Sequence, residues 1–195
     1  RTMVLPAGVA PTRFAPPAGP REEDRLLFFG SLGYEPNRRA LRWLLDEAWP
    51  ELSASRPSLR LRVVGAGELP ASWGPLPAGI EHVGYVADPL PELQRATALV
   101  APLDIAGGSR QKLVEALATA CPVLATPLAT EGLPQAEELV ELAPRGAAFT
   151  ARVAELLEDP EQAWARAAAA ARTVRTAYAW SSLAEDLERG VAGLG

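Results

Sequence analysis

One cysteine, one histidine and one lysine stand in this chain of 195 residues. With Cys121 alone, an intrachain disulfide and any multi-cysteine metal site are excluded. With His82 alone, histidine-rich metal sites fall away, the HExxH helix of zinc hydrolases among them. No apolar run reaches the roughly 18 residues that a membrane-spanning helix needs. The opening residues, Arg1 to Ala7, lack the apolar core of a signal peptide. Positive charge is not in surplus either: 19 Lys and Arg face 24 Asp and Glu, net −5. Nucleic-acid binders concentrate positive charge, so no nucleic-acid partner is expected. The rest is ordinary for a globular domain, 48% hydrophobic and 22% charged. That composition excludes disorder, and the length suffices for one full core.

Of the 19 basic residues only Lys112 is a lysine. The arginine, alanine and proline bias matches a GC-rich coding background, and Lys112 stands out against it.

Residues 1–24 read as an extended lead-in, because Pro6, Pro11, Pro16, Pro17 and Pro20 forbid a long helix. Arg21, Glu22, Glu23 and Asp24 read as a solvated charge cluster. A continuous apolar run then predicts a strand buried on both faces at Leu26–Phe29, and further strands are placed at Leu59–Val64, Ile80–Val86, Ala98–Pro102 and Pro122–Thr126. A weaker sixth is placed at Leu139–Ala143 or Ala147–Thr150. Helical spacing separates them: Ala40 to Trp49, capped by Asn37 and ended or restarted by Pro50; Asp88 to Ala96; Arg110 to about Thr119; and a helical region from Arg152, broken at Trp180-Ser181-Ser182. Strands alternating with helices, without hairpin signals, predict βαβ units. The fold class is α/β, a three-layer Rossmann-like domain with a mainly parallel sheet of about six strands. Ligands of such sheets bind beyond the carboxyl ends of the strands. Those ends carry Gly30 and Gly33, Gly65 and Gly67, Val86, and Gly107 to Ser109.

The segment with most chemistry is Gly107-Gly108-Ser109-Arg110-Gln111-Lys112-Leu113-Val114-Glu115. Glycines admit a close backbone approach, and the helix after them offers unpaired N–H groups and a positive dipole end. Arg110 and Lys112 put full charges where the dipole disfavours cations, which an anion, above all phosphate, would reverse. Glu115, three residues after Lys112, could accept hydroxyl donors such as a ribose diol. The alternative is a Gly-rich turn with a plain Lys112–Glu115 surface pair.

This segment, with Ala116-Leu117-Ala118, Pro122 to Thr126 and Glu131-Gly132-Leu133, resembles the C-terminal half of group 1 glycosyltransferases. Further ordered matches are Pro6 to Ala10 with Phe14, Phe28 to Leu32 with Pro36-Asn37, Val63 to Gly67, and Val83 to Val86. They cover nearly the whole chain. The resemblance implies half of a GT-B fold in a retaining, nucleotide-sugar-dependent enzyme that passes a sugar to a hydroxyl. It implies that Arg110 and Lys112 neutralise the donor diphosphate and Glu115 holds the ribose. Gly30 and Gly33 would approach phosphate, Val86 the base, and Gly107, Gly108 and Ser109 the sugar and phosphate. No metal and no cofactor are expected besides the nucleotide-diphosphate sugar itself. The partner would be an N-terminal acceptor domain, with residues 1–24 leading in from it and residues 25–195 forming the donor domain. The helix after Trp180 resembles the segment that returns to that N-terminal domain. A cytoplasmic location is expected, with peripheral association at the inner membrane face through the missing half.

Departures from the family pattern are specific. The first glutamate of its Glu-x7-Glu motif falls on Gly107. The glycine usual before Pro-Val has become Ala120-Cys121, and the glycine before Glu131 is replaced around Ala129-Thr130. Gly107 keeps open a non-catalytic module of the same fold; a nucleotide-sugar epimerase is a further alternative. A nicotinamide site is disfavoured because Gly65-Ala66-Gly67 is followed by Pro70 where GxGxxG needs glycine. His82 and Cys121 read as structural, Trp43 and Trp49 as core, and Arg38, Arg39 and Arg42 as a solvated basic patch.

Overall fold

The computed structural model describes residues 5–105 and 110–192. Six strands form one sheet: β1 (Arg25–Phe29), β2 (Arg60–Val64), β3 (Ile80–Gly84), β4 (Ala98–Ala101), β5 (Val123–Ala125) and β6 (Glu141–Leu142). Their spatial order is β3-β2-β1-β4-β5-β6, and every pairing is parallel. The apolar runs dictate this. Leu26, Leu27 and Phe28 of β1 and all of β4 are buried, as strands covered on both faces must be. The helices are α1 (Glu35–Trp43), α2 (Trp49–Ser55), α3 (Leu90–Arg95), α4 (Gln111–Ala118), α5 (Ala136–Leu139), α6 (Ala147–Glu158), α7 (Pro160–Ala177) and α8 (Trp180–Ala192). Alpha-helices α1 and α2 connect β1 to β2 in one direction, and α4 connects β4 to β5 in the other. Right-handed crossovers therefore put them on opposite faces. The chain reverses direction between β1 and β4, which makes the gap beyond their carboxyl ends the switch point. No helix among the described residues is long and apolar enough to cross a membrane.

Three local expectations need correction, and two that stood open between alternatives are decided. Asn37 does not cap α1; it lies inside the first turn, buried, after Pro36. Of the two readings of Pro50 the restart holds: α2 begins at Trp49 with Pro50 in its first turn. A π turn at Leu44–Ala48, in which the Trp49 N–H reaches back to the Leu44 carbonyl, absorbs the interruption before α2 continues. The wider turn shifts the backbone register where proline offers no donor. The weak sixth strand is Glu141–Leu142, within the first placement, whereas Ala147–Thr150 opens α6. Trp180 starts α8 and does not break the helical region; the break falls at Tyr178 and Ala179. Arg21 is not solvated: it is buried and donates to the carbonyls of Leu93, Gln94, Ala96 and Thr119 at 2.6–3.3 Å. A guanidinium with five donors is suited to gathering several carbonyl groups.

The lead-in is part of the packed domain. Val9 is fully buried and bridges Ala179, with its N–H on the Tyr178 carbonyl at 2.8 Å and its carbonyl on the Trp180 N–H at 3.2 Å. Gly8 lies against the Trp180 ring, where a Cβ would stand 2.5 Å from a ring carbon. Arg175 donates to the Phe14 carbonyl at 2.7 Å.

Candidate functional site

Three glycines share one level at the carboxyl edge. The Gly30 N–H donates to the Val64 carbonyl and the Gly65 N–H to the Gly84 carbonyl. A Cβ on Gly65 would fall 2.0 Å from the Gly30 carbonyl oxygen, and one on Gly30 would fall 2.6 Å from the Asn37 amide nitrogen. Only glycine fits at either position, so the ledge beside the switch point is bare backbone. Gly33 is exposed in the loop after β1, and its N–H donates to Ser31 Oγ at 3.3 Å. Beyond Gly84, Val86 packs half-buried against the core, and Tyr85 is the side chain that projects, 74% exposed.

Lys112 comes to this ledge from α4. Its Nζ donates to Asn37 Oδ1 at 3.0 Å and lies over the Phe28 ring, 5.8 Å from its centroid. Both neighbours are neutral. Burial, with the Arg110 charge nearby adding to it, pulls the ammonium pKa down to about 8 from 10.5. The Lys112–Glu115 pair is not among the ion pairs of the described residues. Glu115 points instead towards the lead-in: its Oε1 accepts from Gln111 Nε2 at 2.9 Å, and that amide also donates to the Gly8 carbonyl at 3.1 Å. Burial raises the Glu115 pKa, with the Gln111 hydrogen bond and the Arg13 charge opposing. The two proposed ligands of α4 thus leave the helix in different directions. Arg110 occupies the position before α4, is buried, and donates from Nη2 to the Leu128 carbonyl at 3.2 Å. Gly107, Gly108 and Ser109 lie outside the described residues.

Sequence reasoning missed several neighbours of the site. Asn37 was legible as a helix cap and as part of a family match, not as a partner of Lys112. Asp104, just past β4, binds Arg39 at 2.7 Å and Arg145 at 2.8 Å. The hydrogen bond from Arg39 holds the Asp104 pKa below the usual carboxylate range, and the Arg145 charge adds to this against burial. Arg145 also lies over the Trp43 ring at 5.3 Å and donates to the Pro102 carbonyl at 2.7 Å. The basic patch on α1 is paired throughout: Arg38 with Glu35, Arg39 with Asp104, and Arg42 with Asp46. Arg13 of the lead-in meets Asp88 at 3.3 Å. Helical spacing points to the Arg38–Glu35 and Arg42–Asp46 pairs, but no spacing rule points to Asp104 with Arg39 and Arg145 or to Arg13 with Asp88.

Cys121 is buried and its thiol pKa is pushed up to about 11 by that burial, so it stays a protonated, unreactive thiol at neutral pH. His82 sits half-buried within β3, away from the carboxyl edge.

Comparison with known proteins places this architecture. No curated protein sequence matches the chain. Among solved structures, sucrose-phosphate synthase from Thermosynechococcus elongatus superposes with a TM-score of 0.79 at 20% identity, over 100% of this chain and 53% of that one. The C-terminal domain of the glycosyl transferase group 1 family protein LpcC from Francisella tularensis gives 0.70 at 18%, over 89% of this chain and 100% of that domain. HepE of Anabaena, in complex with UDP, gives 0.69 at 13%, over 88% of this chain and 49% of that one. This chain therefore spans about half the length of the synthase and of HepE. At these identities the likeness establishes the fold, the C-terminal half of a GT-B arrangement. The family described as "Glycosyl transferases group 1" matches residues 23–159, and the chain belongs to that family.

Proposed function

We propose that this chain is the nucleotide-sugar-binding half of a retaining glycosyltransferase, which moves a sugar from a nucleoside diphosphate to a hydroxyl acceptor. The observation that carries the reading is the Lys112 ammonium, drawn in at the switch point against neutral partners only. A buried cation without a carboxylate is costly until an anion arrives. The donor diphosphate supplies that anion. Lys112 and Arg110 neutralise it as it leaves, which is the main electrostatic task of the reaction. Fixed cations suffice for that task, so the proposal requires no metal. The bare ledge of Gly30, with Gly33 beyond it, lets phosphate approach the backbone. Gly107, Gly108 and Ser109 would add main-chain and hydroxyl donors, and Val86 would meet the base. Glu115 accepts from the ribose hydroxyls, since Gln111 uses one of a carboxylate's several acceptor sites. The acceptor would be held by a second, N-terminal domain, joined through residues 1–24 to the donor domain at 25–195.

Calorimetric titration with UDP, GDP, ADP and their sugar conjugates tests this. Saturable binding of one nucleotide, removed by Lys112→Ala, is the expected result. Undiminished binding by Lys112→Ala would sink the clamp. A second reading, a non-catalytic module of the same fold, is favoured by Gly107 where the family motif has glutamate. Sugar transfer by the protein that contains both halves would dismiss it.

A further inference from the structure

Asn37 is the only side chain hydrogen-bonded to Lys112 among the described residues. It is buried in the first turn of α1. Its Nδ2 donates to the Ser31 carbonyl at 2.9 Å, and its Oδ1 accepts from Lys112 Nζ at 3.0 Å. The chemistry fixes this orientation: the Ser31 carbonyl can only accept and the ammonium can only donate. The amide also fills the space over Gly30 that a Cβ would need. One side chain therefore ties the β1 loop, α1 and α4 together across the switch point.

We propose that Asn37 is the positioning residue of the donor site, a neutral latch that fixes the Lys112 ammonium at the ledge without neutralising it. This inference rests on the donor-site reading above. An ammonium has three donors; the latch takes one and leaves two, with the whole charge, for phosphate oxygens. An aspartate in the same place would satisfy the cation and compete with the ligand. It would also set an acceptor against the Ser31 carbonyl. The groups that face the ammonium are Asn37 from α1, the Phe28 ring from β1 and the Arg110 charge at the head of α4. Residues 106–109 are Ala-Gly-Gly-Ser and bring no ionisable side chain. The charge at the ledge is thus set by Lys112, by Arg110 beside it and by what stands at position 37.

A single lysine makes the test direct, because a chain labelled with 13C-lysine gives one Cε resonance. In the unaltered protein its pH titration should have a midpoint near 8. In Asn37→Asp the midpoint should move upward by a unit or more, about what a carboxylate within hydrogen-bond reach produces. Affinity for inorganic pyrophosphate and for UDP should fall about tenfold in the same variant, although no binding residue has been removed. An unmoved midpoint, or unchanged affinity with a moved midpoint, would overturn the latch. If Asn37→Asp does not fold, Asn37→Ala serves: the Cε signal should sharpen and affinity should drop severalfold, and an unaltered signal or affinity would overturn the proposal equally. Lys112→Ala separates the two readings. If it binds both probes as well as the parent while Asn37→Asp still moves the Cε midpoint, the donor site is refuted and the contact to Lys112 is not. If Lys112→Ala abolishes binding and Asn37→Asp changes nothing, the donor site stands and the latch falls.

Discussion

The two ends of the sheet treat charge in opposite ways. At the amino end, Arg25 and Arg62 share Glu92, Arg62 also meets Glu81, Arg95 meets Glu22, and Arg56 and Ser58 meet Asp24. Four arginines face four carboxylates. Burial works against the Glu92 carboxylate, but the Arg62 and Arg25 guanidiniums outweigh it and hold its pKa below the usual value. At the carboxyl end Lys112 is held by an amide and a ring, and Asp104 is shared by two arginines. Charge is cancelled where it only supports the fold. It is left uncancelled at the edge where sheets of this topology receive ligands.

The sharpest way to break this contrast is to remove one group from each end. Lys112→Ala should weaken nucleoside diphosphate binding by about a hundredfold, the worth of a charge-assisted bond to a dianion in a partly dry site. Its denaturation midpoint should not fall. Glu92→Gln should do the reverse. It leaves Arg25 with Glu22 and Arg62 with Glu81 as their remaining carboxylates and should cost about 2 kcal/mol in urea denaturation, with nucleotide affinity unchanged. Affinity loss in Glu92→Gln, or unfolding in Lys112→Ala, would erase the distinction.

Next in size are the pH effects, which share a sign at the two ends, stability rising with pH, but occupy separate windows, alkaline for Lys112 and acid for Glu92. The folded Lys112 pKa, about 8, lies below its ordinary 10.5. Between those values the unfolded chain binds the extra proton, so the Lys112 penalty is fully present below pH 8 and disappears as pH rises towards 10.5. Lys112→Met should therefore gain about 1–2 kcal/mol at pH 7 and nothing at the alkaline end. Nucleotide affinity should weaken above pH 8 as the ammonium loses its proton. Glu92 has a lowered pKa, so its contribution holds above the ordinary glutamate value and is lost as pH falls through the folded one. A difference curve of parent and Glu92→Gln should show that loss only in acid.

Smaller still is the effect of Ala120, which holds a left-handed φ of 55° in the position where the family pattern has glycine. Ala120→Gly should raise stability by up to about 1 kcal/mol, strain relief being partly offset by the greater freedom of the unfolded chain. Last, breaking the exposed Arg42–Asp46 pair should change stability by less than about 0.5 kcal/mol. A larger loss would show that surface pairs on α1 are part of the balance at the carboxyl end.

The strands were legible because doubly buried parallel strands are apolar runs with glycine at their ends, as Leu26 to Gly30 and Val63 to Gly65 display. Lys112 was legible too, as the one lysine in an arginine background and as part of a motif. The structure places it at the switch point. The partners that define its environment were not legible. Asn37 sits where a capping residue would sit, and local spacing cannot show that its amide bonds a lysine 75 positions away. Arg21 looked solvated among acidic neighbours, yet its carbonyl partners lie 72 to 98 positions downstream. Pro50 read as a stop or a restart, and the π turn before it was not legible because propensity gives no signal for one. Phe149 and Thr150 favour a strand locally, and burial in α6 overrides that preference.

The bridge between Val9 and Ala179 has a kinetic consequence. Phe14 and Arg175 are bonded across 161 positions, so the Val9 and Phe14 contacts have no partner until nearly all of the sheet and α7 exist. Loop-closure entropy of that span must be met before the contact contributes anything. During synthesis, the Val9 segment waits for α7 and the start of α8. Pulse-labelled hydrogen exchange during refolding should find the Val9 amide acquiring protection after those of β1 and β4. The lead-in is then the closing step of folding, and Gln111, whose amide reaches both Gly8 and Glu115, settles only when that step is complete.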